Sequence, residues 1–130
     1  MVVVDTSVWV AALCNARSAE ARRLQVLLDE DRVALAAPVR IEILVGASAR
    51  DRARLRRLLS ALPVYYPTTA TWQLIDAWID RASAIGERFG FADLLIGTLA
   101  AERSNAVWSL DADFTRMARA GLLVLHNHDA

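Results

Sequence analysis

Apolar positions along the chain come in two textures. Val2-Val3-Val4, Arg32 to Ala37 and Ala106 to Leu110 are short apolar runs with little polar alternation, the pattern of strands covered on both faces in a parallel sheet. Between and around them lie longer stretches with apolar residues at helical spacing. These predict helices over Ser7 to Ala16, Ala19 to Asp31 with Leu24, Leu27 and Leu28 on one face, Val39 to Ala47, an Arg- and Leu-rich segment after Arg50, Thr68 to Arg88 as one long helix or a helix pair, Phe91 to Arg103 and Phe114 to Ala120.

Punctuation supports these boundaries. Thr6 or Ser7 can cap the first helix and Ser18 the second, while Pro38 suits a first helical turn, where its missing amide costs nothing. Pro63 and Pro67 bracket Val64-Tyr65-Tyr66, which reads as a short edge strand. Gly86 and Gly90 mark a break, and Gly121 caps the last helix before a final strand, Leu122 to Leu125. Strands alternating with helices give an α/β fold with a mostly parallel central sheet of about five strands and helices on both faces.

With 130 residues and no repeat or linker, the expectation is one domain spanning 1–130. No apolar span is long enough to cross a bilayer and no signal segment stands out, and the single Cys14 cannot form an intramolecular disulfide. A soluble, cytoplasmic protein is expected, with Cys14 a small core residue. Fifteen basic residues balance fifteen acidic ones, so nucleic-acid binding would need a local patch. Arg50, Arg52, Arg54, Arg56 and Arg57, interleaved with Leu55, Leu58, Leu59 and Leu62, supply a candidate. That basic helix face is either solvated or a phosphate-contacting or partner-binding surface, with Arg54 and Arg57 as possible RNA contacts.

The chemistry lies in the acids. Asp5 and Asp111 each end an apolar strand, Glu42 follows a third on a helix, and Asp93 opens the apolar helix with Gly97, Ala100 and Ala101 near its face. Parallel topology gathers these termini at one end of the sheet, where open α/β sheets bind ligands. Like charges about 4 Å apart repel by ~4 kcal/mol at an effective dielectric of 20, so such a cluster must protonate or hold a cation. Oxygen donors suit Mg²⁺ or Mn²⁺ rather than zinc, and no histidine base is required. His126 and His128 read as tail residues.

The residues resemble the PIN-domain ribonucleases, of the VapC toxin kind found in VapBC toxin–antitoxin systems. The resemblance is carried in order by Val3-Val4-Asp5-Thr6-Ser7-Val8-Trp9, Glu42-Ile43-Leu44-Val45-Gly46, Phe91-Ala92-Asp93-Leu94-Leu95-Ile96-Gly97 and Ser109-Leu110-Asp111-Ala112-Asp113-Phe114. It implies a three-layer α/β/α sandwich and metal-dependent endoribonuclease activity on RNA, tRNA or another structured RNA among the possibilities, as the toxin of a type II toxin–antitoxin system. By position, Asp5, Glu42, Asp93 and Asp111 match the family's catalytic, Mg²⁺- or Mn²⁺-binding acids, and Asp113 a further acid with a secondary role. Thr6, Ser7 and Ser109, the last where threonine is commoner, would offer hydroxyls to water or substrate. A homodimer and a cognate VapB-type antitoxin are also implied. The alternative within the family is a degenerate PIN domain acting as a non-catalytic RNA- or protein-binding module. Outside it, a phospho-accepting receiver domain would need a lysine that this chain lacks, and a haloacid-dehalogenase-type phosphotransferase an acid where Ser7 stands.

Overall fold

A computed structural model describes residues 1–128. In chain order it contains β1 (Val2–Val4), α1 (Thr6–Cys14), α2 (Ala19–Asp29), β2 (Val33–Ala36), α3 (Ala37–Gly46), α4 (Ala49–Ser60), β3 (Val64–Tyr65), α5 (Thr69–Ala84), α6 (Phe91–Ala101), β4 (Ala106–Trp108) and α7 (Ala112–Arg119). The four strands form a parallel sheet in the order β3-β2-β1-β4, with β1 and β2 internal. Every residue of β1 and β2 is buried. Successive strand side chains point to opposite faces, so helices must cover both, which accounts for the unbroken apolar runs.

Among the described residues the sheet has four strands rather than about five. The expected strand Leu122 to Leu125 makes a single parallel bridge, Val107 to Leu125. β4 is only three residues long, and backbone groups alternate sides along a strand. Toward this outer edge it offers just Val107, whose N–H donates to Val124 O at 2.9 Å and whose carbonyl accepts from His126 N at 2.8 Å.

Local chemistry sets the helix ends. Ser18 Oγ accepts from Ala21 N and caps α2, and Pro38 lies in the first turn of α3. Asp5, rather than Thr6 or Ser7, caps α1. The helix expected through Arg88 stops at Ala84, and Gly86 takes a left-handed φ of 74° just beyond. Of the aromatics on α5, Trp78 joins the core whereas Trp72 is exposed and stacks on Phe91. Cys14, expected in the core, is exposed because it ends α1 beyond that helix's buried Val8 and Trp9. Nor is His126 a loose tail residue: it is half-buried, bonded to β4 and tilted against Trp108, while His128 packs its ring edge-on to Trp108 and His126. Among the described residues no helix is long and apolar enough to cross a membrane.

Candidate active site

The site is built on the pairing of β1 with β4. Val4 lies opposite Trp108, so Asp5 and Ser109 leave the sheet side by side, and Asp5 N donates to Trp108 O at 2.8 Å. Asp5 is 6% exposed, and its Oδ2 accepts from both Ser7 Oγ and Ser109 Oγ at 2.8 Å. Those hydroxyls accept in turn from Leu110 N at 3.0 Å and Asp111 N at 2.9 Å. Each serine has one hydroxyl proton, and both are committed to Asp5, so the 3.3 Å approach of the two oxygens is a consequence of sharing that acceptor. Ser7 and Ser109 therefore fix one carboxylate oxygen instead of offering hydroxyl protons outward. Thr6, the third hydroxyl, donates to Glu42 Oε1 at 3.1 Å and ties α3 to the start of α1.

Asp93, on the first turn of α6, meets Asp111 and Asp113 from the start of α7. Asp111 caps α7, its Oδ1 accepting from Asp113 N at 2.9 Å. One carboxylate oxygen from each of Asp93, Asp111 and Asp113 lies within 4.8 Å of the others, a spacing a single cation can bridge. The Asp93 carboxyl is pushed up from 3.8 to about 7, first by burial, then by its hydrogen bond with Asp113 and the negative charges of Asp111, Asp113 and Asp5. Asp113 moves the other way, held below its usual value chiefly by a hydrogen bond from Arg116.

The tight group thus contains Asp93, Asp111 and Asp113. Asp5 stands close enough for its charge to act on Asp93, while Glu42 is exposed on α3 and joins the site through Thr6. Asp113, expected in a secondary place, is among the three that converge. Arg116 belongs to none of the motifs visible in the sequence. Its spacing from Asp113, three residues along one helix, is a local signal, but its second partner Glu87 lies in a distant turn. Arg54 and Arg57 are both exposed; Arg54 also lines a groove with Glu42 between α1, α3 and α4 and pairs with Asp51 at 3.7 Å. A hard divalent cation fits this donor set, which is all carboxylate and in which Asp93 is already pushed toward holding a proton.

Known proteins share this sequence pattern and this fold. The PIN domain family model matches residues 2–120. Ribonuclease VapC11 of Mycobacterium tuberculosis and VapC ribonuclease Mb1587 of Mycobacterium bovis are each 34% identical to the chain over 124 residues, covering 92% of both partners. The fold is similar to that of VapBC2 from Rickettsia felis, with a TM-score of 0.79 at 19% identity over 98% of each chain. It is also similar to VapBC-1 from nontypeable Haemophilus influenzae, with a TM-score of 0.77 at 20% identity over the whole of both chains. With its family model spanning all but the two ends and full-length relatives at this identity, the chain belongs to the PIN domain family and, within it, to the VapC ribonucleases.

Proposed function

We propose that this chain is the toxin of a type II toxin–antitoxin pair, a single-domain, cytoplasmic endoribonuclease that depends on Mg²⁺ or Mn²⁺. The observation that carries the metal dependence is the convergence of Asp93, Asp111 and Asp113 at the carboxyl end of the sheet, with Asp5 beside them. In this reading Asp93, Asp111 and Asp113 hold the ion, with Asp5 and Glu42 completing the catalytic set. Such an ion would lower the pKa of a water and neutralise charge on the phosphate.

The chain's own residues do the positioning. Ser7 and Ser109 keep Asp5 Oδ2 from turning, Thr6 does the same for Glu42, and Asp93, protonated up to about pH 7 here, would have to be ionised to serve as a metal ligand. RNA is the substrate, in keeping with the named activity of the VapC relatives. A VapB-type antitoxin is the partner, since the similar folds were solved as VapBC assemblies. The exposed Trp72, Ile79 and Phe91 on neighbouring α5 and α6 favour a homodimer. An intact acidic set favours a catalytic role over a binding module.

Cleavage of a total RNA or tRNA pool tests this directly, comparing wild type with Asp5→Asn in Mg²⁺, in Mn²⁺ and in chelator. Fragments should form only with wild type and metal. Equal cleavage in every lane would mean a contaminating nuclease and sink the proposal.

A further inference from the structure

Arg116 makes two short charge-assisted contacts beside the acids. Its Nη1 donates to Glu87 Oε2 and its Nη2 to Asp113 Oδ1, both at 2.6 Å, and its guanidinium lies 5.0 Å over the ring of the buried Phe89. Two properties distinguish this from an ordinary surface pair. The partners come from separate segments, Glu87 from the turn after α5 and Asp113 from the first turn of α7, so the fork cross-links them. And Asp113 is one of the three carboxylates that converge on one point.

We propose that Arg116 is a positioning residue of the metal centre: anchored by Glu87 and Phe89, it holds Asp113 in the orientation in which its carboxylate shares a cation with Asp93 and Asp111. This role rests on the metal-dependent reading above and adds to it a residue that touches neither ion nor RNA. Coulomb's law alone gives the opposite expectation, because a guanidinium near a cation site repels the ion, and deleting it would tighten metal binding. Positioning reverses the sign. Without the fork Asp113 samples its rotamers, and ordering it when the ion arrives lowers affinity. A lysine keeps the charge but cannot span two carboxylates with a planar fork. Charge alone therefore leaves Arg116→Lys unchanged, while positioning weakens it.

Mn²⁺ titrated calorimetrically into wild type, Arg116→Met and Arg116→Lys, with the urea midpoint of each measured alongside, separates these cases. Arg116→Met should bind Mn²⁺ roughly 10-fold more weakly, as expected for loss of a partner that orients a metal ligand, with Arg116→Lys in between. Mn²⁺ affinity unchanged or raised in Arg116→Met would overturn the role. If that variant fails to fold, Arg116→Lys decides, and wild-type affinity there overturns it. Failure of the wild type itself to bind Mn²⁺ would overturn the metal-centre reading and this role together.

Discussion

Asp93 concentrates the electrostatic conflict of the site in one side chain, and its consequence for stability has a definite sign. Its carboxyl titrates at about 7 in the fold, against an ordinary 3.8. Between those values the folded chain holds a proton that the unfolded chain has released, so stability falls as pH rises through this window and levels off above about 7. His126 acts oppositely. Burial, then His128, Arg32 and the N-terminus, lower its pKa from 6.5, so its contribution grows as pH rises toward that value. The lowered Asp113 matters only in acid, where protonation removes its contribution. Comparison with Asp93→Asn isolates the first effect: in chelator, the urea midpoint of wild type should fall relative to that of Asp93→Asn between pH 5 and pH 8. Parallel midpoints across that range would refute the assignment. Much of this site was legible at the residue level, because Asp5, Asp93 and Asp111 each follow a strand or open a helix in plain view. What was not legible depends on pairing distant segments. Ser7 and Ser109 meet at one oxygen of Asp5 only because Val4 and Trp108 are in register, and Arg116 finds Glu87 only through the fold.

Among the elements, α6 shows how tightly the acid-bearing helix is seated. Leu94 to Ala100 are all buried, and Thr98 Oγ1 returns its proton to the helix's own Leu94 and Leu95 carbonyls. A Cβ at Gly97 would approach Met117 Cε at 2.9 Å, Leu123 Cδ2 at 3.0 Å and Trp78 Cζ3 at 3.1 Å. The methionine and leucine tips can yield, but the indole edge is rigid and itself buried. Alanine would gain about 1 kcal/mol of helix propensity, against about 1–3 kcal/mol for overpacking. Gly97→Ala should therefore lower stability by about 1 kcal/mol, read as a reduced urea midpoint at unchanged slope. A raised midpoint would show that α6 has room to shift. The same closeness explains which elements the sequence disclosed. Strands buried on both faces leave continuous apolar runs, so β1 and β2 were visible to within a residue. The segment after Gly121 carries the same apolar signature, since Leu122 and Leu123 are buried, yet burial alone does not make a strand. It needs a partner edge with several free backbone groups, and β4 presents one residue.

Across the whole molecule, charge is balanced but not evenly placed. Fifteen acids and fifteen arginines cancel, so no long-range field draws RNA toward the protein, and capture must come from a local surface. Asp5, Asp93, Asp111 and Asp113 gather at the carboxyl end of the sheet, where a polyanion would meet repulsion in the absence of metal. Arg116 is already committed to Asp113 and Glu87, which leaves α4 as a candidate counterweight. Its Arg54 reaches the groove that also contains Glu42, and its exposed pairing with Asp51 at 3.7 Å is weak enough to exchange for a phosphate. A strand of RNA crossing from α4 to the acids would then be held by arginine on one side and by a metal-neutralised centre on the other. In an Asp5→Asn background, chosen because the proposed loss of cleavage should keep the RNA intact, Arg54→Glu with Arg57→Glu should weaken binding of a short single-stranded RNA. It should also reduce the slope of log affinity against log salt by roughly 0.7 for each phosphate that an arginine no longer neutralises. Unchanged affinity and slope would make α4 a solvated face and move the search for the RNA path to the opposite wall of the groove, along α1.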